Sequence, residues 1–134
     1  MLKAYPAVFH PEDNGGYYIE FPDLENTFTG INEDDVAYGI SMAEEVLGLM
    51  LADRIEHGQE LPTPAAINSL QVPKGGLVTL VKVDLQQFFK DMTPVKKTLT
   101  IPTWANDLGI RQGINFSQLL TTAIANVATS TRDL

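Results

Sequence analysis

The sequence contains no cysteine. Disulfides, thiolate zinc sites and cysteine nucleophiles are therefore excluded. Histidine is nearly as scarce. His10 and His57 stand far apart with no ligand spacing, so no metal site is expected. No apolar run approaches the ~20 residues that a membrane span needs, and Met1-Leu2-Lys3-Ala4-Tyr5-Pro6 lacks the apolar stretch of a secretion signal. The expectation is a cytoplasmic protein without membrane contact. No GxGxxG or Walker pattern occurs, and no serine sits in a nucleophile-elbow context, so no cofactor and no enzyme activity are expected.

What is present suits an ordinary globular chain. Its 134 residues are 44% hydrophobic and 19% charged, which disfavours disorder and allows one domain or two very small ones. The net charge is −8. Residues 1–90 carry −9 of it, while residues 91–134 balance to +1 and open with the Lys96-Lys97 pair. A split of this kind points to two modules with different partners. An acidic surface that only aids solubility is the plainer reading of the first half.

Lys3 to His10 reads as a strand, and Pro6 within it argues for an edge position or an irregularity. Pro11 to Gly16 reads as a turn, with Asn14-Gly15 a strong hairpin signal. Tyr17 to Phe21 is the returning strand, and a third is expected around Thr27–Gly30. Asn32 is placed to cap a helix, with Ile31 and Val36 as its hydrophobic staple. Val36, Ile40, Ala43, Leu47, Met50 and Ile55 give that helix one apolar face, widened by Val46, Leu49 and Leu51. Gly58 stops it. Gly76 to Asp84 reads as a fourth strand and Leu85 to Lys90 as a short helix. Thr93-Pro94 marks the boundary, giving modules 1–92 and 93–134.

The second module opens with Lys96–Ile101, a short strand in which Leu99 and Ile101 alternate with Thr98 and Thr100. Two helices follow. One runs from Thr103 through Trp104 and Leu108 toward Gln112, with Trp104 expected in the core. The other starts after Asn115, with Gln118 completing a capping box. A strand and two helices of this size bury no sufficient core alone. Two copies could pair their strands antiparallel over four helices, and such a two-stranded ribbon fits the DNA major groove. If Leu99 and Ile101 face the core, Lys96, Thr98 and Thr100 face outward. The amides near Asn115, Phe116 and Ser117 would then clamp a phosphate. An ordinary edge strand with a polar outer face is the alternative.

The segment KKTLTIPTWANDLGIRQGINFSQLLTTAI resembles the ribbon-helix-helix part of HicB-type antitoxins. YPAVFH, GGYYIEFPDL and TFTGINEDDVAYGISMAEEVLGLML, followed by the loop Gly58–Pro64, resemble the N-terminal domain of the same family. The resemblance implies an α+β chain: a degraded ribonuclease-H-like βββαβ domain, then a ribbon-helix-helix (β-α-α) dimerisation domain. It also implies a type II toxin–antitoxin pair. The first domain would neutralise a small basic RNA-cleaving toxin of the HicA type, and the acidic first module suits a cationic surface. The second would bind operator DNA as a homodimer or a tetramer through Lys96, Lys97, Thr98, Thr100, Asn115, Phe116 and Ser117, repressing its own operon. Residual nuclease activity is disfavoured. Leu2–Phe9 holds no carboxylate, and Glu12, Asp13, Glu20, Asp23 and Glu25 lie in turns and strand ends. A stand-alone ribbon-helix-helix regulator, whose first domain senses a ligand or only oligomerises, is the rival.

Overall fold

A tight turn and an alternating pattern build the sheet. In the computed structural model, which describes residues 1–129, β1 spans Leu2–Pro11, β2 Tyr17–Glu20 and β3 Phe28–Ile31. The Glu12 amide donates to the Gly16 carbonyl and the Gly15 amide to the Glu12 carbonyl. Gly15 and Gly16 have φ of 90° and 81°, where a Cβ would be strained, so the expected hairpin turn forms where glycine allows it. β4 (Leu77–Asp84) lies antiparallel to β1, and the strand order is β3-β2-β1-β4.

β1 is therefore an inner strand over Val8–Pro11, while at Pro6 it has an open side, as the expected edge position or irregularity requires. The reason is local. β2 pairs with β1 only over Val8–Pro11, so at Pro6 the strand has β4 alone beside it, through Leu80. The missing amide of Pro6 falls where β2 has no ladder to complete.

Helix α1 spans Val36–Glu56 and covers one face of the sheet. Its cap is Asp35, whose carboxylate accepts from the Tyr38 amide at 3.1 Å; Asn32 does not cap it. The neighbouring Asp34 is engaged elsewhere, accepting from the Gly16 amide at 2.8 Å. Ala43, Leu47 and Leu51 pack on Tyr5, Phe9, Ile19 and Val81 to form the core. Gly39 lets the helix come close, because a Cβ there would stand 2.8 Å from the Phe9 ring and 3.1 Å from Ile31. Leu49, expected on the apolar face, is 44% exposed, since it points past the sheet. The helix ends at His57 before Gly58, as expected. A 3-10 turn at Leu85–Phe88 follows β4, and Phe88 and Phe89 pack half-buried against the core.

Beyond it, residues 89–102 are neither helix nor strand. The expected strand at Lys96–Ile101 is not formed: the segment pairs with none of β1–β4. α2 spans Thr103–Arg111 and α3 Phe116–Thr129. Residues 130–134 of the expected second module lie outside the described residues.

Candidate functional site

The C-terminal segment holds the residues expected to bind DNA, and its geometry sorts them into two sets. Val95, Lys97, Leu99, Ile101, Phe116, Ser117 and Ile124 line a groove of about 460 Å³ between the extended segment and the helices. Lys96, Thr98 and Thr100 do not line it and are exposed. The alternation expected of a strand is thus present in the chain before any strand is formed: Leu99 and Ile101 turn toward the helices, and the two threonines turn away. Lys97 falls on the groove side, apart from Lys96.

The Asn115 cap at the start of α3 forms as its sequence suggests, but the Gln118 side chain donates forward to the Thr122 hydroxyl at 3.5 Å rather than back to Asn115 to complete a capping box. The Asn115 side chain accepts from the Gln118 amide at 3.1 Å, and the Asn115 carbonyl from the Leu119 amide at 2.9 Å. Phe116 and Ser117 occupy the first turn, where helix amides have no intrahelical acceptor. Phe116 packs its ring on Gly109 of α2 and is still 41% exposed. Gly109 was missed as a packing residue. It reads as a ~1 kcal/mol weakness in a helix, yet a Cβ there would stand 2.5 Å from the Phe116 ring. The signal was a glycine inside a helix followed by an aromatic at the next helix start.

Trp104, expected in the core, is 70% exposed. It shares this state with Val95, Ile110, Leu119, Ile124 and Val127. Two helices and an extended segment enclose too little volume to hide them. α3 touches the first half of the chain near its end, where the Lys3 ammonium donates to the Thr129 carbonyl at 3.3 Å.

The carboxylates weighed for catalysis are occupied differently. Glu20 lies 3.2 Å from His10 Nε2, and Asp23 accepts from the Ala65 amide at 3.0 Å. Among the described residues, no group of three or more His, Asp and Glu could hold a metal ion. Burial raises the Tyr5 hydroxyl above its ordinary value; Asp23 adds to this and Arg54 opposes it. That hydroxyl donates to the Pro62 carbonyl and so ties the loop after α1 to β1. The Gln86 amide and the Met1 ammonium hold the Asp84 carboxyl below its usual range. Among the described residues, no helix is long and apolar enough to cross a membrane.

Residues 5–106 match the family described as HicB-like antitoxin of bacterial toxin–antitoxin systems. The chain belongs to this family. A chain of the toxin–antitoxin complex from Streptococcus pneumoniae is 37% identical to this HicB-like antitoxin. The match covers 94% of this chain and 99% of that one, with a TM-score of 0.62. The antitoxin HicB of Burkholderia pseudomallei is 22% identical over 91% of this chain and 96% of its own, with a TM-score of 0.56, and supports the fold. No curated protein matches the sequence. The mixed architecture, a four-stranded antiparallel sheet with three helices, agrees with these neighbours.

Proposed function

We propose that this antitoxin neutralises a small basic RNA-cleaving toxin of the HicA type through residues 1–92, and represses its own operon through residues 93–134. The first part is read as a degraded ribonuclease-H-like domain. The second is read as a ribbon-helix-helix that is completed only by a second copy. Two Lys96–Ile101 segments pair antiparallel, and the ribbon enters the major groove of operator DNA with Thr98 and Thr100 at base edges. Lys96, and the amides of Phe116 and Ser117 behind the Asn115 cap, take the flanking phosphates. Lys97, on the groove side, is the least suited of the expected DNA contacts.

The carrying observation is the exposed apolar side of residues 95–129. Leu99 and Ile101 are 55% and 45% exposed although they line the groove, and Ile124 on α3 is 58% exposed. Such a surface calls for an apolar partner, and the same segment of a second chain matches it by symmetry. A toxin partner is supported by the Streptococcus pneumoniae toxin–antitoxin complex, which contains a similar chain, and by the acidity of residues 1–90.

Co-expression with the neighbouring reading frame tests both halves of the proposal. The expected result is a co-purifying complex with a small basic protein that retards DNA from the shared upstream region. Absence of a complex would remove the antitoxin role from residues 1–92. Absence of retardation would remove the repressor role from residues 93–134.

A further inference from the structure

The sheet face turned away from α1 carries an aromatic stripe of which only His10, 3.2 Å from Glu20, enters a contact described above. By strand alternation His10, Tyr18 and Phe28 stand on that face of β1, β2 and β3. Their rings form a ladder. The His10 and Tyr18 centroids are 5.9 Å apart, and those of Tyr18 and Phe28 are 5.7 Å apart. Tyr18 is 37% exposed and Phe28 51%, so the ladder is open to solvent. Glu20 shares this face opposite Phe28, and its side chain is 39% exposed. Pro6 and Val8, also on this face by alternation, are buried. The stripe is therefore confined to the β1–β3 end of the sheet.

Aromatic faces beside a half-exposed carboxylate form a receptor for a guanidinium or ammonium group. The rings attract the cation through their π faces and the carboxylate pairs with it. The surrounding charge selects the same kind of partner. Residues 4–53 build most of β1, all of β2 and β3 and most of α1. They contain eleven Asp and Glu and no Lys or Arg. Glu12, Asp13 and Glu25 lie in the turns flanking the stripe. Lys3 and Arg54 border this stretch, and Lys82 lies on β4 opposite Ala4.

We propose that this stripe is the docking face for a cationic protein, with an Arg or Lys side chain of the partner seated on Tyr18 and Phe28 and paired with Glu20. The inference rests on the toxin reading above and names the surface within residues 1–92 that the toxin contacts.

The full chain is titrated by calorimetry with the product of the neighbouring reading frame used in the co-expression test above. Three variants are compared with it: Tyr18→Ala with Phe28→Ala, Glu20→Gln alone, and Glu44→Gln with Glu45→Gln on the exposed side of α1. The aromatic double variant is expected to bind about a hundredfold more weakly, and Glu20→Gln about tenfold. The α1 double variant should stay within about threefold, as distant rim charges do. Circular dichroism checks each fold. If the aromatic variant misfolds, Glu20→Arg, at a half-exposed position, carries the same test. Unchanged affinity in both stripe variants overturns the docking face and leaves the toxin reading standing. An equal loss in the α1 variant also overturns it, since general charge attraction then suffices. No binding by the unmodified chain overturns both readings.

Discussion

In the first ninety residues a core of large apolar side chains closes on itself within the chain, although Leu2, Phe28, Leu49 and Leu80 stay exposed. Phe9, Ile19, Leu47, Leu51 and Leu85 are all fully buried between the sheet and α1. In residues 95–129 the same kinds of side chain stay open, Val95 at 86% and Ile110 at 65%. Both regions have apolar residues at core spacing, so the pattern alone does not distinguish them. The difference is geometric. Four strands and a 21-residue helix enclose a volume, whereas two helices of 9 and 14 residues with one extended segment do not. A core-like pattern in a segment too small to close is thus a statement about assembly.

The largest expected effect comes from breaking the closed core. Leu47→Ala should cost about 2–5 kcal/mol, read from urea unfolding followed by circular dichroism. Ile124→Ala should cost little in the isolated chain, because its side chain is already exposed, yet should weaken self-association. If the two substitutions destabilise dilute protein equally, the contrast between the regions is false.

Next are the residues of the proposed ribbon. Thr98→Ala and Thr100→Ala should each weaken operator binding by about 1–3 kcal/mol in a fluorescence titration. Neither should alter thermal stability, since both threonines are exposed. If Leu99→Ala instead removed DNA binding with association intact, while Thr100→Ala did nothing, the outward face would be out by one residue.

A smaller effect is expected at Tyr5, which holds the loop after α1. Tyr5→Phe should cost about 1 kcal/mol, the usual worth of such a bond. Its pH dependence has a definite sign. The folded hydroxyl titrates above the unfolded one, so its contribution is complete below about pH 10 and is lost as pH rises past that value. The variant should be less sensitive to alkaline unfolding than the unmodified chain above about pH 10.

Local signals carried most of the first region. The glycine turn, the strand alternation and the helix stop at Gly58 each depend on neighbours in sequence, and each lies where the pattern put it. The cap was misplaced because Asn32, Asp34 and Asp35 all have suitable side chains. Only the distant Gly16 amide decides that Asp34 is engaged and Asp35 caps. Strand order was equally out of local reach, and Pro6 marked only the part of β1 that β2 leaves unpaired, not the place of β1 inside the sheet. In the second region the helices and the Asn115 cap were legible. The exposure of Trp104 was not, since two short helices and one extended segment are too small to cover it. The aromatic stripe could not be found from sequence at all. His10, Tyr18 and Phe28 meet only through the registers of two strand pairs.

The central claim is that residues 1–92 are complete in one chain and residues 93–134 are complete only in two. Sedimentation equilibrium on the full chain and on a 1–92 fragment tests it most directly. The account predicts a folded monomer for the fragment. For the full chain it predicts twice the 14.7 kDa chain mass or a multiple of that dimer, with helix content falling on dilution below the dissociation range. A full chain that stays monomeric at high concentration with its α2–α3 helicity intact would contradict it. So would a 1–92 fragment that associates as strongly as the whole.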